Sequence, residues 1–440
     1  MDHLSVKEIA ELDFDVRHVG SATLRSPVRN VDFVPAEERV SFLSRLGEIR
    51  ECGELGLRLP SFEAAGPRET IYHDPSWTKA AIVTCGGLCP GINDVVKSIV
   101  NTLHFQYGVR DIFGIRYGYR GLVPEFGLAP IMLDPGTVDM IHERGGSVLG
   151  SSRGEQSTEE IVNTLERLRI NVLFAIGGDG TQRGVRDISE ETTKRNLPVS
   201  VIGVPKTIDN DLSFMDRTFG YETAIYRTGP VISSAHDEAK GTLNGIGLVK
   251  LMGRESGFIA ASACLANSVA NFCLIPEVPF ELDGERGLLK ALERRLEVKD
   301  HAVIVVAEGA GQEFFEDSET VKDKSGNIKL MDIGQFLKHT IGEHLSGIGV
   351  EHSVKYFDPS YLIRSVPAHG TDAIFCLHLG ANAVHAAMAG RTGMVVGHWN
   401  GHFTHVPVAL AVMMRRKVNP SGPLWKSVLG ATQQQTWFRG

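Results

Sequence analysis

Val172-Leu173-Phe174-Ala175-Ile176-Gly177-Gly178-Asp179-Gly180-Thr181 decides the fold: an apolar run of buried-strand character leads straight into a glycine turn that carries one carboxylate. A second run, Val201-Ile202-Gly203-Val204, feeds Pro205-Lys206-Thr207-Ile208-Asp209-Asn210-Asp211. Ligands of an open α/β sheet bind beyond the carboxyl ends of its strands. Two neighbouring strands of this kind therefore bring a glycine-lined carboxylate and a pair of carboxylates to one crevice. Glycines let backbone N–H groups approach phosphate oxygens, and a carboxylate beside phosphates is a common Mg2+ ligand. The combination suits transfer of a phosphoryl group onto an alcohol.

Upstream, Ala80-Ala81-Ile82-Val83-Thr84 reads as a buried strand opening onto Gly86-Gly87-Leu88-Cys89-Pro90-Gly91. From Ile92 the apolar positions Val95, Val96, Ile99, Val100 and Leu103 follow helical spacing. Ser157 and Glu160 form a candidate capping box for a helix through Ile161, Leu165 and Leu168. Downstream, Gly245 to Val249 and Ala302 to Val306 read as strands, Leu288 to Leu296 as an amphipathic helix, and Ala373 to Ala389 as a closely packed one. Such alternation predicts an α/β fold with doubly wound parallel sheets. Glu313 to Lys329 is polar enough for a solvent loop, and the segments around Pro60 and Pro67 suggest an extended arm ending near Pro75.

The 440 residues are 42% hydrophobic, enough for two or three domains. The net charge of −8 is spread along the chain, which argues against a nucleic-acid or anionic-membrane surface. Met1-Asp2-His3-Leu4 begins neither a basic n-region nor an apolar h-region, and no apolar run approaches the roughly 20 residues of a membrane span. Six cysteines in a chain of this length suggest reduced thiols and a cytoplasmic location. Cys85 and Cys89 flank the first glycine turn without a second pair at zinc spacing, so they read as packing residues. His398, His402 and His405 read as surface or interface histidines.

At these motifs the chain resembles the 6-phosphofructokinase family. The string GGDGT is shared with NAD kinases and diacylglycerol kinases, but Pro205 to Asp211 is far rarer. It is accompanied, in the expected order, by Gly86 to Gly91, Gly150-Ser151-Ser152-Arg153-Gly154, Met252-Gly253-Arg254, Ala307-Glu308-Gly309 and Tyr361-Leu362-Ile363-Arg364. The match runs from about residue 78 to about 410 and looks closest to the plant and trypanosome branch. Members of that branch use ATP although their sequences sit near the pyrophosphate-using enzymes. The resemblance implies two Rossmann-like parallel-sheet domains with the active site in the cleft between them. Residues 76–222 and about 366–410 would form the phosphoryl-donor domain, 223–365 the sugar-phosphate domain, and 1–75 and 411–440 terminal extensions. It further implies fructose 6-phosphate, ATP and Mg2+ as ligands, a homodimer or homotetramer under allosteric control in glycolysis, and no nucleic-acid or membrane partner.

Site residues follow from the same resemblance. Asp209 is the general base for the sugar hydroxyl, and Asp179 holds the metal; taken alone, Asp179 reads equally well as a turn aspartate. Gly87, Arg153, Gly154, Gly178, Gly180 and Thr181 contact the nucleotide, and Arg153, permanently charged with five donors, bridges the transferred phosphate. No GxxxxGK[ST] string occurs, so the phosphate cradle is not a Walker loop. Thr207 and Ile208 contact the substrate beside Asp209, and Asp211 orients an arginine or water or assists the metal. Met252, Gly253, Arg254, Glu308, Tyr361, Leu362, Ile363 and Arg364 form the sugar-phosphate site, with Lys355 a further candidate for the phosphate. Bacterial members carry histidine where Tyr361 stands. Pyrophosphate users place aspartate at the Gly180 position and lysine at the Lys206 position; bacterial ATP users place glycine at both. This chain is mixed. Exclusion of the nucleotide by an aspartate is the stronger effect, so Gly180 points to ATP. The alternatives are a pyrophosphate-dependent enzyme and a non-catalytic sugar-phosphate-binding paralogue.

Overall fold

In the computed structural model, which describes residues 4–315 and 329–438, the two apolar runs form the strands Val172–Gly177 and Ser200–Pro205. They pair in parallel from Val172 opposite Ser200 to Gly177 opposite Pro205. Every residue of both is buried, as central strands of a sheet covered on both faces require. Lys79–Thr84 lies on the other side of Val172–Gly177, followed by Asp111–Ile115, and Met394–Trp399 flanks Ser200–Pro205. These five run parallel. Antiparallel strands finish the edges: His402–Pro407, Ser61–Ala64 and Arg39–Ser41 on one side, and Ile131–Met132 on the other. Residues 1–75, expected as an extended arm, thus contribute two strands to this sheet, besides the short strands Arg17–His18, Leu24–Arg25 and Thr70–Ile71 in two-stranded pairs.

From Lys79–Thr84 the chain moves to the strand on one side and then returns to Val172–Gly177 on the other. The order reverses there, and the crevice beyond the carboxyl ends at such a switch point is where open sheets bind ligands. Gly86 and Gly178 follow those two ends. The helices Ile92–Asn101 and Gly370–Met388 pack on one face of the sheet, where Val95, Ile99, Leu379 and Ala383 share a core with Ile82 and Phe174. Gly380 permits the approach, since a β-carbon there would come within 2.5 Å of the Ser98 β-carbon. Leu165, Val185 and Ile188 of the helices Thr158–Leu168 and Asp179–Lys194 cover the opposite face. Ser157 caps the first of these by accepting a hydrogen bond from the Glu160 N–H.

The chain divides into two compact units: residues 1–208, 212–220 and 365–415, and residues 209–211, 221–364 and 416–440. The sheet of the second unit has the parallel order Phe272–Leu274, His301–Ala307, Gly245–Leu251, Ser353–Phe357. Leu288, Leu292 and Leu296 from the helix Leu288–Lys299 and Leu337, Ile341 and Leu345 from the helix Ile333–Gly347 fill its core. The end of the chain joins this unit: the Gln434 side-chain amide pairs with both backbone groups of Cys273 as another strand would. Most of the expected polar loop, 316–328, lies outside the described residues. Among those described, no helix is long and apolar enough to cross a membrane, and all six cysteines are buried with no disulfide between them.

Candidate active site

The first unit gathers the glycine turns. The Gly86 N–H donates to the Ser152 carbonyl at 2.9 Å, and Ser151 Oγ donates to the Gly86 carbonyl at 2.6 Å. These bonds fasten the loop that carries Arg153 and Gly154, both exposed, to the turn that carries Gly86 and Gly87. Lys206 Nζ donates to the Gly87 carbonyl at 2.6 Å. Gly86 has a φ of +85°, a backbone conformation that favours glycine, and a β-carbon there would stand 3.1 Å from Lys206 Nζ, close enough that the ammonium would have to shift slightly. The Cys85 thiol is pushed up to about 12 by burial and is inert, in keeping with a packing role.

Asp179 opens the helix Asp179–Lys194, with Gly178 as its N-cap. The Thr181 and Gln182 N–H groups donate to the Gly178 carbonyl, so the positive end of the helix is formed by the glycine motif itself. Asp179 pairs with Arg183 at 3.1 Å and with Arg415 at 3.7 Å. Sequence reading missed both arginines; Arg183 was findable from its i,i+4 spacing. Gly180 is exposed, and a β-carbon there would meet nothing within 4 Å. No group of three or more His, Cys, Asp or Glu among the described residues forms a metal cage. Mg2+ is ordinarily held by one or two carboxylates with waters and substrate phosphates, and Asp179 at a helix N-terminus matches that donor set.

Beyond Ser200–Pro205, the Lys206 N–H donates to the Gly177 carbonyl at 3.0 Å, keeping the two strand ends paired. Thr218 Oγ1 donates to the Thr207 carbonyl at 2.7 Å, and Ile208 packs against the core of the first unit. Asp209, Asn210 and Asp211 belong to the second unit. Ser256 Oγ donates to the Asp209 carbonyl at 3.3 Å, Asn210 adopts a φ of +54°, and the Asp211 carbonyl accepts from Arg416 N–H at 2.8 Å. The C-terminal histidines go separate ways: His398 pairs with Asp216 at 2.7 Å, His402 is exposed, and His405 is buried beside Glu63.

In the second unit, Gly245–Leu251 delivers Met252, Gly253 and Arg254, and His301–Ala307 delivers Glu308. The Glu308 N–H donates to the Leu251 carbonyl at 2.8 Å and the Gly309 N–H to the Gly253 carbonyl at 3.0 Å. Gly253 has a φ of +125°. Burial raises the Glu308 carboxyl, opposed by Arg254, Lys250 and Arg364 around it. A hydrogen-bond acceptor ringed by cations can receive a phosphorylated polyol. The Arg364 guanidinium lies 4.5 Å from the Tyr361 ring centroid. Tyr361 and Leu362 are exposed, whereas Ile363 is 1% exposed and anchors the segment, so only its backbone is available to a ligand. Lys355 is exposed and pairs with Gly247, short of the strand end. The lysine placed beside Glu308 is Lys250, which sequence reading passed over. Its signal was a charge inside an otherwise apolar strand.

A model of the phosphofructokinase family matches residues 79–387. The chain is 48% identical over 435 residues to the ATP-dependent 6-phosphofructokinase of Borreliella burgdorferi, covering 96% of this chain and 97% of that protein. It is 45% identical over 446 residues to the enzyme of the same description from Amycolatopsis methanolica, covering 100% and 96%. A chloroplastic ATP-dependent 6-phosphofructokinase 5 of Arabidopsis thaliana is 48% identical over 370 residues, covering 84% and 68%. Among solved structures, a pyrophosphate-dependent phosphofructokinase from Marinobacter aquaeolei is similar in fold, with a TM-score of 0.66 at 20% identity, covering 82% and 93%.

Proposed function

This chain belongs to the phosphofructokinase family, and from that premise we propose that it transfers the γ-phosphoryl group of ATP to the 1-hydroxyl of fructose 6-phosphate. The products are fructose 1,6-bisphosphate and ADP. The observation that carries this reading is that ATP-dependent relatives match nearly the whole chain, the segments of both half-sites included. Asp209 takes the proton of the 1-hydroxyl as its oxygen bonds to the γ-phosphorus and the bond to ADP breaks. Arg153 bridges the phosphoryl group in flight. Asp179 would hold the Mg2+ that accompanies ATP, whose contribution is to neutralise phosphate charge. Gly87, Gly154, Gly178 and Thr181 receive the nucleotide, and Gly180 leaves open space for it.

Thr207, Ile208, Met252 and Gly253 line the sugar, Glu308 accepts bonds from its hydroxyls, and Arg254 and Arg364 clamp its phosphate next to Tyr361 and Leu362. Lys206 alone favours the pyrophosphate-dependent alternative. Its ammonium, held on the Gly87 carbonyl, serves equally to neutralise the phosphates of ATP. A homodimer or homotetramer in the cytosol, serving glycolysis under allosteric control, completes the reading. The deciding assay offers purified enzyme fructose 6-phosphate with either ATP or pyrophosphate and measures fructose 1,6-bisphosphate. Turnover with pyrophosphate but not ATP would overturn the donor assignment. Turnover with neither, together with retained fructose 6-phosphate binding, would leave the non-catalytic paralogue.

A further inference from the structure

Lys250 is the next-to-last residue of the strand that delivers Met252, Gly253 and Arg254, and its side chain is only 12% exposed. An ammonium taken out of water at such a place is costly unless it is paired. Its partners are two aspartates, Asp358 at 2.9 Å and Asp332 at 3.2 Å. Each carboxylate also organises the start of an element. Asp332 accepts from the Gly334 and Gln335 N–H groups at the head of the helix Ile333–Gly347, and from the Tyr356 hydroxyl at 2.9 Å. Asp358 accepts from the Ser360 N–H at 3.2 Å and from Ser360 Oγ, at the start of the short helix Ser360–Arg364.

That short helix carries Tyr361, Leu362 and Arg364, while Arg254 stands three residues beyond the end of the strand of Lys250. The two arginines therefore come from separate elements, and the Lys250–Asp358 pair ties those elements together. We infer that Lys250 is the positioning residue of the sugar-phosphate clamp, setting Arg364 against Arg254 through its ion pair with Asp358. The inference rests on the proposed function, since it deepens the same site. Two guanidinium groups bind one phosphate well only when their separation is fixed in advance, and side chains on separate elements must otherwise be ordered at the moment of binding. The alternative is that Lys250 acts only as a positive charge near the phosphate. The two differ in sign at Asp358. Removing that negative charge would strengthen phosphate binding if charge alone mattered, and weakens it if positioning does.

The test is steady-state kinetics with both substrates, alongside thermal melts. Lys250→Met keeps the apolar stem and should raise the KM for fructose 6-phosphate about 10- to 100-fold, the scale of a lost charge-assisted bond. The KM for ATP should stay within about twofold. Lys250→Arg retains the charge and should recover most of the loss. Asp358→Asn can still cap Ser360 but loses the ion pair, so it should raise the same KM, and the double variant should fall well short of the product of the singles. Asp332→Asn cuts the other arm and should have the smaller effect. The inference is overturned by an unchanged or lowered KM for fructose 6-phosphate in Asp358→Asn, by equal rises for both substrates, or by a larger effect from Asp332→Asn. Asp358→Asn decides even if Lys250→Met fails to fold. Failure of the wild type to phosphorylate fructose 6-phosphate would instead sink the proposed function.

Discussion

Asp209 is held in place by its backbone: its carbonyl accepts from Ser256 Oγ, and Asn210 beside it takes the left-handed turn. Asp209→Asn should therefore preserve the loop while removing the proton acceptor. Turnover should fall by roughly 10²- to 10⁴-fold, the usual worth of general-base catalysis. The KM for fructose 6-phosphate should change far less, and steady-state kinetics with near-wild-type turnover would refute the assignment. Gly180 offers a cleaner substitution still. A side chain there enters open space, and an acid in the first turn of a helix is favoured by the macrodipole and by replacement of glycine. Gly180→Asp should thus fold at least as well as the wild type. Its second carboxylate beside Asp179 repels and crowds the nucleotide phosphates. Most ATP-dependent activity should disappear, with at most a slight gain with pyrophosphate, since Lys206 is already in place. Undiminished ATP use by the variant would remove Gly180 from the role of donor gate.

Elements matter where two strand ends stay paired beyond the sheet. The bonds from Glu308 to Leu251 and from Gly309 to Gly253 bring the Arg254 carbonyl to 1.8 Å from where a Gly309 β-carbon would lie. Gly309→Ala must push these ends apart, displacing Arg254 and Glu308 together. Overpacking of this kind costs about 1–3 kcal/mol or more. The KM for fructose 6-phosphate should rise at least about tenfold while that for ATP moves little; equal KM values in wild type and variant would mean the paired ends do not shape the site. The central strands were legible because residues buried on both faces must be apolar, and Val172–Gly177, Ser200–Pro205 and His301–Ala307 are nearly continuous apolar runs. Arg39–Ser41 and Ser61–Ala64 were not legible. They are the last two strands on one side of the sheet, short and without an apolar run, and their conformation is set by pairing with each other and with His402–Pro407, remote in sequence. The role of Lys250 was hidden for a similar reason: Asp332 and Asp358 reach it only after the chain has folded, whereas the Arg183 partner of Asp179 lies one helical turn away.

At the scale of the whole molecule, the least legible feature is buried charge in the first unit. Glu63 accepts from Arg68 at 2.9 Å and from Arg391 at 3.0 Å, with His405 Nδ1 at 3.5 Å, and all four residues are buried. Burial alone would raise the Glu63 carboxyl, but His405, Arg391 and Arg68 together hold it well below the usual range. His73 and His385 are also buried there, one bonded to Ser200 Oγ and the other to the Tyr107 hydroxyl. Burial lowers both to about 4, with Arg68 and His405 adding to the effect at His385, and it lowers His405 as well. A histidine with a lowered folded pKa takes up its proton more readily when unfolded. Its contribution to stability is complete above the unfolded value of about 6.5 and is lost as pH falls toward the folded one. For a shift from about 6.5 to about 4, the loss reaches on the order of 3 kcal/mol per histidine by pH 4. Glu63 has the same proton preference, its folded carboxyl being likewise held below its unfolded value, so its stabilisation is present above about 4.5 and fades only under stronger acid. Both kinds of group therefore make the protein acid-labile, and the histidines act first. Thermal melts should give a flat midpoint between about pH 7 and 8 and a fall of several degrees from about pH 6.5 toward pH 4.5. His73→Gln and His385→Gln remove the titrating ring, so each should lower the midpoint at pH 7 yet make the acid slope shallower. A wild-type midpoint that stays flat down to pH 4.5, or variants with the wild-type slope, would mean that these histidines are hydrated and do not govern the acid limit of the fold.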